Sequence, residues 1–181
     1  MNISAKPVLK ILHVLSWIIF VGVCIEAGGF IVNAFFALVN PKVISRLWQQ
    51  ADLSALSRYD NGYFFVMVLF MSIVALLRGL LFYLIIKLLY EKKLDLAQPF
   101  SRELRRFVLN VAYLSFLIGL FSVWGSAYAG WLVKLGVPMP DAAQLRLGGA
   151  DVWLFMSIIL FVIAQIFRRG IEMQTENELT I

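Results

Sequence analysis

The sequence predicts an all-α membrane protein: a bundle of four transmembrane helices, with a short amphipathic helix in the first outer loop. Three observations predict it. The 181 residues are 61% hydrophobic and only 15% charged. A soluble domain is nearer ~45–50% and ~25%, so this chain has more apolar surface than a water-soluble core hides. The apolar residues fall in four runs, at about 8–38, 62–89, 107–133 and 151–167, each as long as the ~17–25 residues a helix needs to cross the hydrocarbon. The basic residues between the runs are unevenly shared. Lys6, Lys10, Lys87, Lys92, Lys93, Arg102, Arg105, Arg106, Arg168 and Arg169 fall on one side, and Lys42, Arg46, Arg58, Lys134 and Arg146 on the other. Lys and Arg in short loops resist translocation. The connection from Lys87 to Arg106 and both termini are therefore expected in the cytoplasm.

The first run follows Lys6 and Lys10, like the start of a signal peptide, but continues to about Leu38 and reads as a retained first span. His13 and Trp17 suit the inner interface, where amphipathic rings lie at headgroup level. Gly22, Glu26, Gly29 and Asn33 recur at spacings of four, three and four, which puts them on one helical face. That face is small and polar and is expected to turn inward. Asn40-Pro41 reads as a helix cap followed by a first-turn proline. Val43, Ile44, Leu47, Trp48 and Ala51 then make an apolar stripe, the expected interfacial helix.

The second run contains Arg78. An arginine well inside a span costs roughly 2.5–3.5 kcal/mol on insertion scales, so something should compensate it. Glu26 is the acidic side chain well inside a span, and the expectation is an ion pair with Arg78 or a shared wet cavity. Glu26, Arg78 and Asn33 are the candidate intramembrane polar site. After this run Pro99 cannot continue a helix, and Ser101 suits the cap of the next one. Arg102, Arg105 and Arg106 follow as a basic face, fit for anionic lipid phosphates or an acidic partner segment.

In the third run Ser115, Gly119, Ser122, Ser126 and Ala129 form a second small-residue seam, expected to pack closely on a neighbour. Trp124, Tyr128 and Trp131 approach the outer interface. The stretch from Lys134 to Ala150, with Pro138, Pro140, Gly148 and Gly149, reads as an irregular outer loop. The fourth run closes on Arg168 and Arg169.

Several function classes are disfavoured. One Cys (Cys24) and one His (His13) allow no intrachain disulfide and no multi-ligand Cys/His metal site. No zincin motif, phosphate loop or nucleophile–base pattern is present, so no catalytic residues and no enzyme activity are expected. A single His supplies at most one axial haem ligand per chain, and no cofactor is expected. The net charge of +5 sits beside apolar spans. It therefore points to membrane lipids rather than to direct contact with nucleic acid.

The chain's last residues carry a resemblance. Ala164-Gln165-Ile166-Phe167-Arg168-Arg169-Gly170, Glu172, and Glu176-Asn177-Glu178-Leu179-Thr180-Ile181 resemble the closing motif of domain-of-unknown-function family 2975. Gln98-Pro99-Phe100-Ser101 matches that family's other recurrent feature. The departures are Gln165, where the family usually has Glu, and Glu178, where Asp is common. The resemblance implies a four-span protein of the bacterial inner membrane. It also implies a neighbourhood, because members are often encoded beside a small helix-turn-helix regulator. It carries no catalytic or binding residues with it.

Two functional readings follow. In the first, the chain is the membrane partner of a helix-turn-helix regulator. The tail from residue 168 to 181, with Arg168, Arg169, Glu172, Glu176 and Glu178, would then either tie down the inner end of the bundle, by pairing with Arg102, Arg105 and Arg106, or offer those charges to the partner. In the second, the chain is a subunit of a small transporter or channel built around Glu26, Arg78 and Asn33. Four spans are few for a monomeric transporter, so that reading requires a homo-oligomer.

Overall fold

The computed structural model describes residues 5–39, 52–90 and 100–178. They form five helices: α1 (Ala5–Val39), α2 (Ser54–Tyr59), α3 (Asn61–Tyr90), α4 (Arg102–Lys134) and α5 (Ala150–Glu178). No strand occurs among the described residues. All but α2 are long and apolar enough to cross a bilayer, and the chain is a multi-pass membrane protein. Helix is the form such segments must take. In hydrocarbon every backbone N–H and C=O has to be satisfied within the segment itself. The interfacial helix expected over Val43, Ile44, Leu47, Trp48 and Ala51 lies outside the described residues. In the described part of that loop α2 is the helix present, and the Asp52 carboxylate accepts from the Ser54 amide at its start, 2.9 Å away.

The long helices pack in chain order, α1 on α3, α3 on α4 and α4 on α5. Neighbours run antiparallel: Phe20 meets Tyr83 near one end of the α1–α3 pair, with ring centroids 6.5 Å apart, and Ile31 lies beside Phe65 and Leu69 towards the other. Helix α4 opens as its sequence suggests. Ser101 is the cap, and its hydroxyl accepts from the Leu104 amide at 3.1 Å. Ser101→Ala is expected to cost about 1 kcal/mol, the usual worth of a side-chain cap. Thermal unfolding in detergent would register it, and an unchanged midpoint would deny the cap any stabilising role.

The small-residue seam of α4 is buried as expected. Ser115, Gly119, Ser122 and Ala129 all face the interior, joined by Gly125, whereas Ser126, the fifth residue of the expected seam, is half-buried. The seam of α1 is not where its glycines suggest. The buried positions are Ser16, Ala27 and Phe30, and Val23 lies against Gly79 of α3. The contact face is therefore one residue along from Gly22, Glu26 and Gly29, a rotation of about 100° at ~3.6 residues per turn. Gly22 is exposed, and no atom would meet a Cβ there within 4 Å. Small, branched and aromatic side chains together carry the α1–α3 contact, and Glu26 sits at its edge.

Helix α5 starts low. Leu154, in its second turn, lies against Gly119, so close that a Cβ on that glycine would come within 2.6 Å of the leucine Cγ. Helix α4 continues another fifteen residues to Lys134, about 22 Å at ~1.5 Å per residue. Residues 135–149 double back over this length. Val137, Leu145 and Leu147 are all buried in the core, and Leu147 lies against Gly125 beside Phe70 of α3. The stretch is irregular, as expected, but it is an inserted part of the bundle rather than a surface loop. At this end Tyr59, Tyr63, Tyr128 and Trp131 form an aromatic cluster. The Tyr63 and Trp131 rings lie 5.4 Å apart, and the Tyr128 hydroxyl donates to the Tyr63 carbonyl at 3.4 Å.

Candidate functional site

Polar side chains gather at two levels, one within the spans and one at the end where α1 begins and α5 finishes.

Within the spans, the α1–α3 register sets Gly79 opposite Val23. Glu26 and Arg78 are therefore within about one helical turn of each other in depth, closer than their sequence positions suggest. The ion pair, however, forms elsewhere. Arg146, from the inserted stretch, brings its Nε within 3.3 Å of Glu26 Oε1. The contact is ionic rather than a directed hydrogen bond, since Glu26 Oε1 is buried without a hydrogen-bond partner. Arg78 lies instead over the Trp153 ring of α5, its guanidinium carbon 5.8 Å from the ring centre. That is cation–π range. Glu26 attracts the Arg78 charge and Arg146 repels it. The group thus holds two guanidiniums, one carboxylate and an indole face, drawn from α1, α3, α5 and the inserted stretch. Asn33 is on α1, and its side chain lies outside the described residues.

Sequence reasoning misses Arg146 and Trp153. By position Arg146 counts with the outer basic residues, because it follows Lys134 in the chain. Its backbone carries a signal that the residues alone do not show: φ is +59°, a left-handed conformation that costs an L-residue ~1–2 kcal/mol. The turn from Asp141 to Leu147 holds it there, with the Leu147 amide bonded to the Ala142 carbonyl at 2.8 Å.

At the other level, the two stretches that carry the family resemblance meet. The Phe100 ring packs edge-on to Phe167, with centroids 5.5 Å apart. It also covers Gly170, where a Cβ would come within 2.5 Å of the ring. Phe100 belongs to the Pro-Phe-Ser piece, and Phe167 and Gly170 to the closing motif. Beside this contact, α4 and α5 form a cleft of about 440 Å³, lined by Arg102, Arg105, Arg106, Leu109, Arg168, Ile171 and Glu172. A second groove of about 310 Å³ on the far side of α4 shares Arg102 and Arg106 and adds Lys87 and Asn110.

Glu172 pairs with Arg168, one turn earlier on the same helix, at 2.8 Å, although α4 arginines line the same cleft. The pairing of tail acids with Arg102, Arg105 and Arg106 is thus not what holds Glu172. Arg169 is exposed and outside the cleft, and Glu176 is exposed further along α5. Glu178 is the last residue of α5, and its side chain is outside the described residues. Helix α5 runs unbroken from the fourth span through Arg168 and Arg169 to Glu178.

No curated protein and no solved structure matches this chain. A family described as proteins of unknown function, DUF2975, matches residues 48–181, which takes in α2 to α5 and both stretches that meet at Phe100. With that match over most of its length, the chain belongs to the DUF2975 family.

Proposed function

We propose that this chain is the membrane component of a regulatory pair in a bacterial inner membrane. The last turns of α5, at the cytoplasmic end, hold a small helix-turn-helix regulator. The observation that carries the reading is the shape of α5. The helix is covered by Phe100 at Gly170 and then continues to Glu178, with residues 172–176 all exposed. Glu172, which also pairs with Arg168, and Glu176, one turn on, share a face there, and Met173 beside them is 59% exposed. A helix-turn-helix module is basic where it meets DNA phosphates. An acidic helix with an apolar contact point competes for that surface and keeps the regulator off its operator. The excess of Lys and Arg at this end favours the cytoplasmic side by the positive-inside rule.

The test is co-purification of the full chain with the regulator encoded beside it. The pair should survive detergent extraction, and Glu172→Lys with Glu176→Lys should weaken it about tenfold or more, as reversed charges facing a basic surface do. Equal recovery with the reversed variant, or no association in membranes, would end this reading.

The alternative, a small transporter or channel subunit, draws support from the buried polar atoms of the bundle. Glu26 Oε1, Arg78 Nε, Ser115 Oγ and Ser122 Oγ have no hydrogen-bond partner among the described residues, and intramembrane polar groups mark pathways. Ion flux through proteoliposomes that Glu26→Gln abolishes would favour it over the regulator.

A further inference from the structure

We propose that the arginine cleft between α4 and α5 is a binding site for the phosphate of an anionic glycerophospholipid. Four guanidiniums line it against one carboxylate. Glu172 is already paired with Arg168, whereas Arg102, Arg105 and Arg106 make no ion pair among the described residues. Arg105 is the telling group. Its Nε is shut away from solvent with no acceptor on it. A buried donor on a charged group is costly to leave unmade, and an anion entering the cleft supplies the acceptor. Arginine is also the side chain whose planar fork matches phosphate oxygens two at a time.

The place selects a lipid over a soluble anion. Arg102, Arg105 and Arg106 stand on the first turns of α4, just before its apolar run opens at Phe107, which is the headgroup level of a bilayer. Leu109 and Ile171 complete the wall. They give a glycerol backbone and the first methylenes of an acyl chain an apolar surface that free phosphate has no use for. At about 440 Å³ the cleft is within the ~300–1,000 Å³ of small-molecule sites. The site does not depend on a regulator, and its test uses the chain alone.

The purified full chain is exposed in detergent to phosphatidylglycerol or to phosphatidylcholine with the same acyl chains, and bound lipid is counted by native mass spectrometry. Phosphatidylglycerol should be retained preferentially. Arg105→Ala should cut its retention about tenfold, the worth of a charge-assisted contact, and leave phosphatidylcholine unchanged. Arg105→Lys, which keeps charge and bulk but loses the fork, is the second variant and should also lower retention. Arg58→Ala, on the distant α2, should not. Equal retention of the two lipids, or full phosphatidylglycerol retention in both Arg105 variants, overturns the proposal. So does thermal stabilisation by inorganic phosphate or by an acidic peptide that phosphatidylglycerol fails to reproduce, because the cleft would then belong to a soluble anion.

Discussion

Gly119→Val is expected to lower the stability of the detergent-solubilised chain by about 2–3 kcal/mol, the upper part of the range for overpacking a close contact. A Cβ at Gly119 would lie 2.6 Å from Leu154 Cγ, 2.8 Å from its Cδ2 and 3.1 Å from its backbone nitrogen. The leucine side chain can swing away from the first two atoms. The backbone nitrogen moves only with α5 itself, and valine adds two methyls in the same gap. The α4–α5 contact would have to open along the seam that Ser115 and Ser122 share. Gly119→Ala should show a smaller loss in the same direction. Gly125→Ala meets mainly the Leu147 side chain and Phe70 Cβ; Leu147 sits on the irregular stretch, which yields more readily than a helix. At Gly130 no atom lies within 4 Å of where a Cβ would stand, so Gly130→Ala is the control. Unfolding by graded addition of a denaturing detergent, followed by circular dichroism, measures all four. Equal midpoints for Gly119→Val and Gly130→Ala would show that α4 and α5 are not held at this distance.

The contrast between the two seams shows what the residues alone convey. Spans are legible because hydropathy is summed over ~20 residues, and a local error does not move the sum. The α4 seam is legible because its small residues recur at helical spacing and nothing on that face competes. On α1 the same spacing misleads. Gly22 and Gly29 flank Glu26, and a polar side chain suggests an inward face. Yet the closest fit against Gly79 is made by Val23, and small residues are required on only one of two helices in contact. The depth of residues 135–149 is hidden for a different reason. Pro138, Pro140 and Gly149 announce turns, and turns are normally on the surface. The contrary signal is Val137, Leu145 and Leu147, too apolar for an exposed loop, but no local rule says how far such a stretch reaches down the bundle. Arg146 travels with it, so the partner of Glu26 depends on tertiary structure that neither residue's neighbours specify. The arginine cleft is half legible: Arg102, Arg105 and Arg106 share a face by spacing, while Arg168 joins them through the packing of α5 on α4.

Glu26→Gln should produce the other large effect, because it removes the carboxylate that Arg146 contacts and that attracts Arg78. Removing one partner of a fully buried pair costs ~3–5 kcal/mol. Here the Glu26 side chain is 16% exposed but that of Arg146 is 47% exposed, so water screens the pair from one side and about 1–3 kcal/mol is expected. A double-mutant cycle identifies the partner. Glu26→Gln combined with Arg146→Gln should cost less than the two singles together, with a coupling of about 0.5–3 kcal/mol. The cycle with Arg78→Gln should give a smaller one, since Arg78 is set over Trp153. The reverse order would make Arg78 the true counter-ion. Arg146→Gly adds an independent check. Its φ of +59° is free for glycine and costs an L-residue ~1–2 kcal/mol. Glycine therefore relieves strain while losing the ion pair, and it should be less damaging than Arg146→Gln by about that amount. If the two are equally damaging, the turn does not store the strain its geometry implies, and the hold of Arg146 on Glu26 comes from the side chain alone.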